Sequence, residues 1–291
     1  MTAQGTTAGE DAGRREALRG MWASVAPAWG EHADRVDDRD EVVTAAMLDA
    51  VSPLPGERVL ELACGPGGLG LAAATRVGPD GLVVLTDVAD EMIAIAGGRA
   101  KALGLGNVEA RARDLEAIDE PDGSFDVVVC REGLMLVADP LRAAGEIVRV
   151  LRSGGRAAVA VWGPRAANPW LGVLFDAITE RTGMPVPPEG LPGPFSLDDP
   201  DRLRRVLDGG GLVEVSVREV PLPFVAASFE EWWAMVPALA GPLAVVLAGL
   251  PDDVRADIRS SAERALSVHA VGGGYAIPGV SLVGSGLVAP V

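Results

Sequence analysis

The sequence predicts an α/β protein built on one mostly parallel sheet with helices over both faces. Three observations carry that reading. From Arg58 onward, short apolar runs alternate with helix-like segments. The Val127-Val-Val129 run has no polar alternation, as expected of a strand buried on both sides. A glycine-rich turn, Gly65-Pro-Gly-Gly-Leu-Gly70, joins the first apolar run to the first helical one.

The elements follow in order. Arg58 to Leu62 reads as the first strand, Gly67 to Val77 as a helix and Leu82 to Thr86 as the second strand. Asp90 to Leu103 is a helix opened by acidic residues, which suit a helix N-terminus. Val108 to Ala112 and Phe125 to Cys130 are strands, Asp139 to Leu151 is a helix, and Arg156 to Val161 is the fifth strand. Asn168 to Arg181 and Pro200 to Leu207 read as helices around a proline- and glycine-rich connection, Met184 to Pro194. Val213 to Val220 alternates like a half-exposed strand, and Ser281 to Ala289 is the seventh. About sixty residues lie between these two, including a charged helix from Asp252 to Leu266, and an insertion that long usually covers something. Trp232 to Leu250 is a 19-residue stretch without a charge. Pro237, Gly241-Pro242 and Gly249 interrupt it, so two short packed helices are expected and no membrane span. Val271 onward reads as a loop leading into the last strand.

Composition narrows the partners. In 291 residues, 25 Lys+Arg against 41 Asp+Glu leave a charge of −16, without any basic run. Nucleic acid and anionic membranes are therefore not expected as partners, and a small-molecule substrate is. Hydrophobic residues at 48% with 23% charged describe a chain able to bury a core. Cys64 and Cys130 each lie in an apolar run, as in a reduced protein, and no zinc site follows from their spacing. Residues 1–13 are small and polar, with no apolar stretch after a basic start; a disordered tail and a cytoplasmic location are expected.

The segment Val59 to Gly70 is a strand running into a glycine turn and a helix, where a ligand can approach the backbone and meet free N–H groups. Gly65, Gly67 and Gly70 also satisfy G-x-G-x-x-G, and Asp87 lies 17 residues beyond, so a nicotinamide dinucleotide has to be weighed. Two features oppose it. Glu61, four residues before Gly65, suits an ammonium or sulfonium better than a pyrophosphate. The Tyr-x-x-x-Lys pair common among reductases on such sheets cannot be formed, because Tyr275 and Lys101 are the only tyrosine and lysine.

Here the sequence resembles the class I S-adenosylmethionine-dependent methyltransferases, especially the small-molecule branch that includes the ubiquinone and menaquinone biosynthesis enzymes. Four blocks carry the resemblance in order: Glu61 to Gly67; Asp87 to Met92; Arg113-Asp-Leu115; and Ser124 to Cys130 with Glu146 to Gly155. The resemblance implies a Rossmann-like, doubly wound, seven-stranded sheet whose last strand is antiparallel. It implies S-adenosyl-L-methionine as cofactor and S-adenosyl-L-homocysteine as product. Gly65 and Gly67 would admit the methionine part, with Glu61 beneath; Asp87 would accept the ribose hydroxyls; Met92 would pack on adenine, with Asp114 and Leu115 at its far edge. Ala63, Val88, Cys130 and Arg131 complete the implied cofactor set. Ala63 and Ala89 depart from the commoner glycine and serine. Each residue also has a structural reading: glycines serving the turn, Met92 in a core, Asp87 capping a helix.

The resemblance further divides the chain into the tail, an N-terminal helical cap over 14–51, a methyltransferase domain over 52–224 and 280–291, and a helical lid inserted over 225–279. Aromatic residues mark the acceptor side, since of twelve only Phe125 lies between His32 and Val161. Trp22, Trp29, Trp162, Trp232 and Trp233 are the candidate substrate-binding residues, while Trp170, Phe175, Phe195 and Phe224 read as core. Pro27 is a candidate break between Trp22 and Trp29. The acid–base candidates are His32, His269 and Glu132, although transfer from a sulfonium needs alignment and desolvation more than a base. No metal cluster is evident, and none is expected. No Asn/Asp-Pro-Pro-aromatic run or Pro-Cys pair points to nucleic-acid or protein methylation. The expected activity is in-line methyl transfer to a small apolar or aromatic molecule. The alternative is a related protein that binds the cofactor without methylating, and a homodimer stays open.

Overall fold

The computed structural model describes residues 8–187 and 192–290. Two helices open the chain, α1 (Ala8–Glu31) and α2 (Ala33–Val51). The expected tail is corrected over 8–13, which belong to α1; residues 1–7 lie outside the described residues. Pro27 does not end α1, and the break falls at His32. Val25, Ala26 and Trp29 around Pro27 pack on Met92, and that burial offsets the proline's missing N–H.

The sheet then forms as β1 (Arg58–Leu62), α3 (Gly68–Val77), β2 (Leu82–Asp87), α4 (Asp90–Ala102), β3 (Val108–Ala112), β4 (Phe125–Arg131), α5 (Pro140–Val150) and β5 (Leu151–Trp162). After β5 come α6 (Pro169–Thr182), α7 (Pro200–Gly210), β6 (Val213–Pro221) and β7 (Phe224–Ala226). The insertion holds α8 (Phe229–Leu239), α9 (Pro242–Gly249), α10 (Asp252–Leu266), β8 (Ala270–Val271) and β9 (Gly274–Ile277), and β10 (Val280–Leu287) closes the fold.

The main sheet has the order β3-β2-β1-β4-β5-β10-β6, with β10 antiparallel to both neighbours and the pairs from β3 to β5 parallel. Right-handed crossovers place α3 and α4 on one face and α5 on the other. Central strands are buried on both sides, which is why Val59, Leu60, Val127 and Val129 are all apolar and fully enclosed. β5 starts earlier than Arg156 because a register shift lets Leu151 pair with Phe125. A small second sheet, β7-β9-β8, was not expected. Its hairpin turns on Gly272 and Gly273, both at positive φ, so the stretch after Val271 is a paired ribbon before it is a loop. α8 and α9 bend by 110°, and among the described residues no single helix is long and apolar enough to cross a membrane.

Candidate active site

The parallel strands deliver β1, β2 and β4 with their C-terminal ends side by side, where open α/β sheets bind ligands. After β1 the chain turns through Ala63 (φ 50°), Gly65 (φ 51°) and Gly67 (φ 87°) into α3. Ala63 thus holds a left-handed conformation that glycine adopts at lower cost, the physical meaning of the departure noted in the sequence. A Cβ on Gly68 would lie 1.7 Å from Asp37 Oδ1, so the bare glycine lets a carboxylate rest on the first turn of α3.

Charges of both signs ring this turn. Arg99 donates to Asp37 Oδ2 at 2.7 Å and to the Pro66 carbonyl at 3.0 Å. Arg131 donates to Thr44 Oγ1 at 2.8 Å and reaches Asp37 Oδ1 at 3.5 Å. Glu61 lies beneath, where its Oε2 accepts the Gly70 N–H at 2.8 Å. A Cβ on Gly70 would come within 2.5 Å of that oxygen, which accounts for the third glycine. Burial pushes the Glu61 carboxyl up to about 8, against the lowering pull of Arg131 and the Gly70 N–H.

Asp87 closes β2. Its Oδ2 accepts the Gly65 N–H at 2.9 Å and its Oδ1 the Ala89 N–H at 3.0 Å, joining the loops after β1 and β2. Burial raises its carboxyl, and these N–H groups oppose the shift. Val88 is half-buried, Met92 is buried with Val25, Ala26 and Ala89, and Trp22 and Trp29 pack on that cluster. The Trp29 ring reaches to 3.9 Å from the Cβ position of Gly65, and its buried Nε1 makes no hydrogen bond. Trp22 meets Trp29 edge-on at 6.4 Å and abuts Gly241, where α8 and α9 join. The N-terminal helix and the insertion therefore meet over the glycine turn. Half-buried Asp114 accepts the Glu116 N–H at 2.8 Å, and Leu115 is buried beside it. Burial raises the Cys64 thiol and pushes Cys130 up to about 12, which disfavours the thiolate at both.

The expected acceptor residues do not all come together. Trp232 is corrected: it is fully buried, stacked on Phe229 at 5.4 Å, and its N–H is spent on the Trp170 carbonyl at 3.0 Å. It pins α8 to α6. Trp233 is half-buried, its ring 6.2 Å from Phe229 and 6.3 Å from Trp232. Trp162 sits edge-on to Trp170, and the guanidinium of Arg39 lies over both, 5.0 and 4.3 Å from their ring centres. His32 occupies the junction of α1 and α2, and His269 the turn leading into β8. Glu132, just past β4, is half-buried in a left-handed conformation (φ 62°), with its Oε1 enclosed. Burial holds its carboxyl well above the usual range; Asp40 adds to the shift, while Arg131 and Arg39 oppose it.

Sequence reasoning missed Asp37, Arg39, Asp40 and Arg99. A signal did exist: Val36, Asp40, Val43 and Met47 share the buried stripe of α2, so Asp40 stands where an apolar residue belongs.

S-adenosylmethionine fits this donor set. Its methionine part carries an ammonium, a sulfonium and a carboxylate, and the turn offers carboxylates at Asp37 and Glu61 with guanidiniums at Arg99 and Arg131. A family profile described as a methyltransferase domain matches residues 54–169. Over 247 residues the chain is 32% identical to a nocamycin O-methyltransferase of Saccharothrix syringae, covering 79% of this chain and 85% of that one. It is 39% identical over 123 residues to the ubiquinone/menaquinone biosynthesis C-methyltransferase UbiE of Ectopseudomonas mendocina, covering 42% of this chain and 48% of the relative. A crystal structure of the [4+2]-cyclase SpnF shares the fold, with a TM-score of 0.55 over 100% of both chains at 21% identity. With the first relative matched along most of both lengths, the chain belongs to the class I S-adenosylmethionine-dependent methyltransferases, and S-adenosylmethionine is its cofactor.

Proposed function

We propose that this protein methylates a small molecule by in-line displacement under the cover formed by α1 and the insertion. The observation that carries the proposal is the glycine turn ringed by Asp37, Glu61, Arg99 and Arg131 and covered by Trp29. When bound, the cofactor supplies an electrophilic methyl group on a sulfonium. Gly65 and Gly67 let its methionine part reach the backbone, while Asp37 compensates its positive charge, joined by Glu61 once the bound cation draws that carboxyl's proton off, and Arg99 and Arg131 compensate its carboxylate. Asp87 takes the ribose hydroxyls in exchange for its contact to the Gly65 N–H, and Met92 with Leu115 borders the adenine. Trp22 and Trp29 exclude water, which a displacement at a desolvated sulfonium requires. The net charge of −16 and the nocamycin O-methyltransferase relative both support a small acceptor rather than a nucleic acid.

Calorimetric titration with S-adenosylhomocysteine tests the reading. Binding with a Kd of about 1 μM, near −8 kcal/mol, is expected. At about a hundredfold excess over Kd it would stabilise the fold by roughly 2.7 kcal/mol and raise Tm. No binding, or preferential binding of NADH, would overturn the cofactor site. Accumulation of S-adenosylhomocysteine only when an acceptor is present would separate methyl transfer from a non-methylating reaction.

A further inference from the structure

Beside the glycine turn lies a second polar cluster, one strand over, at the ends of β4 and β5 and beneath α2. Glu132 donates its own N–H to the Ala160 carbonyl at 2.8 Å, its backbone is left-handed, and its Oε1 is enclosed. Asp40 is buried between Arg39, 3.3 Å from Nη1, and Arg131, 3.9 Å from Nε. Three buried atoms of this cluster make no hydrogen bond within the protein: Glu132 Oε1, Arg39 Nε and Arg39 Nη2. The two side chains are close enough to influence each other electrostatically, yet they do not bond. Buried polar atoms without partners are costly, and here an acceptor oxygen and two N–H donors share that cost in one place. The cluster adjoins the cofactor turn, since a Cβ on the next residue, Gly133, would come within 2.5 Å of the Ala63 Cβ.

We propose that Glu132 and Arg39 bind the methyl acceptor, and that the acceptor is an acidic hydroxyl with a carbonyl oxygen two carbons away, as in an enolised 1,3-dicarbonyl. This deepens the methyltransferase reading and rests on it. The hydroxyl meets Glu132 Oε1, and the carbonyl oxygen accepts from Arg39 Nε and Nη2, a fork suited to one oxygen or two. One proton is shared between Glu132 and the acceptor oxygen. As the oxygen–methyl bond forms and the sulfur–methyl bond breaks, the bond pair returns to sulfur and the proton stays with Glu132, which later releases it to water. Burial favours the neutral carboxylic acid that results, with Arg39 and Asp40 from α2 and Arg131 from β4 as the charges facing it. The rings of Trp162, Trp170 and Phe224 stacked about Arg39 hold the fork in place, at 5.0, 4.3 and 5.4 Å.

The test uses the full chain saturated with S-adenosylhomocysteine and two calorimetric probes. One is 1,3-cyclohexanedione, whose ring keeps the enol hydroxyl and carbonyl from bonding to each other. The other is its methyl ether, 3-methoxycyclohex-2-en-1-one. Wild-type protein is expected to bind the enol at least about tenfold more tightly than the ether. Glu132→Leu should abolish that preference, and Arg39→Met should weaken the enol at least about tenfold. The wild-type comparison needs no variant to fold. Equal affinity for both probes, or binding of neither, would overturn the proposal; if S-adenosylhomocysteine still binds, the methyltransferase reading survives that result.

Discussion

Glu61 offers a measurable consequence of carrying a carboxyl inside the fold. Its ordinary value is 4.5, and burial beneath the glycine turn pushes it up to about 8. Below 4.5 the group is protonated in folded and unfolded chains alike. As pH rises, the unfolded chain gives up the proton first, so stability present below the unfolded value is lost progressively up to the folded one. Each pH unit in that window is worth about 1.4 kcal/mol, so between about pH 5.5 and 7.5 the group withdraws about 3 kcal/mol. Glu61→Gln keeps an oxygen for the Gly70 N–H but has nothing to titrate. Asp87 and Glu132, whose carboxyls are raised in the same direction, are present in both proteins, so the comparison isolates Glu61. Denaturant unfolding of wild type and variant across that window, without ligand, is the assay. The wild type should lose about 3 kcal/mol more than the variant over the window. Parallel curves would show that Glu61 is ionised in the native fold and refute the reasoning.

Three further outcomes are expected. Asp87→Asn should weaken S-adenosylhomocysteine by about 1.5–3 kcal/mol in calorimetry, because charge-assisted contacts become neutral ones; an unchanged Kd would put the ribose elsewhere. Trp29→Ala should leave cofactor affinity within about threefold but lower methyl transfer about tenfold or more, since cover and orientation are lost while Asp87 and the turn remain; equal turnover would make Trp29 a packing residue. Trp232→Ala should cost about 3–5 kcal/mol in denaturant unfolding, because a fully buried ring and its bond to the Trp170 carbonyl are removed; a cost under 1 kcal/mol would mean that α8 is not anchored there.

The sheet was legible because its physics is local. A strand buried on both faces must be apolar throughout, and a turn that admits a ligand must be bare, so Val127-Val-Val129 and Gly65 to Gly70 announce themselves. The antiparallel last strand came from resemblance rather than from periodicity. What stayed hidden depends on contacts between distant segments. Trp232 looks the same in sequence whether it lines a pocket or fills a core, and only α6 behind it decides. Asp37 and Arg39 read as a solvated helix face until α3 and three aromatic rings are brought against them. The β8–β9 hairpin was hidden for another reason: its strands are too short to show alternation, and only Gly272-Gly273 marked them.

Those hidden charges make α2 the element on which the site depends. Asp37, Arg39 and Asp40 lie within a single helical turn. Asp37 rests on the glycine turn, Asp40 pairs with Arg39 and Arg131, and two residues before Asp37 Arg35 reaches the insertion through Glu231 at 2.6 Å and the Val225 carbonyl at 3.2 Å. A fold selected only for stability would place apolar residues at Asp40 and Arg39, because buried ion pairs seldom outperform well-packed hydrocarbon. Their presence is explained if both ligands need them. A cofactor that draws Asp37 toward its ammonium and an acceptor that draws Arg39 toward its oxygen then act on the same rigid helix. Any coupling between them must be reciprocal: whatever factor the acceptor adds to cofactor affinity, the cofactor adds to acceptor affinity. Arg35 ties the same helix to the insertion through Glu231 and the Val225 carbonyl, so a ligand that shifts α2 acts on a helix already joined to the insertion.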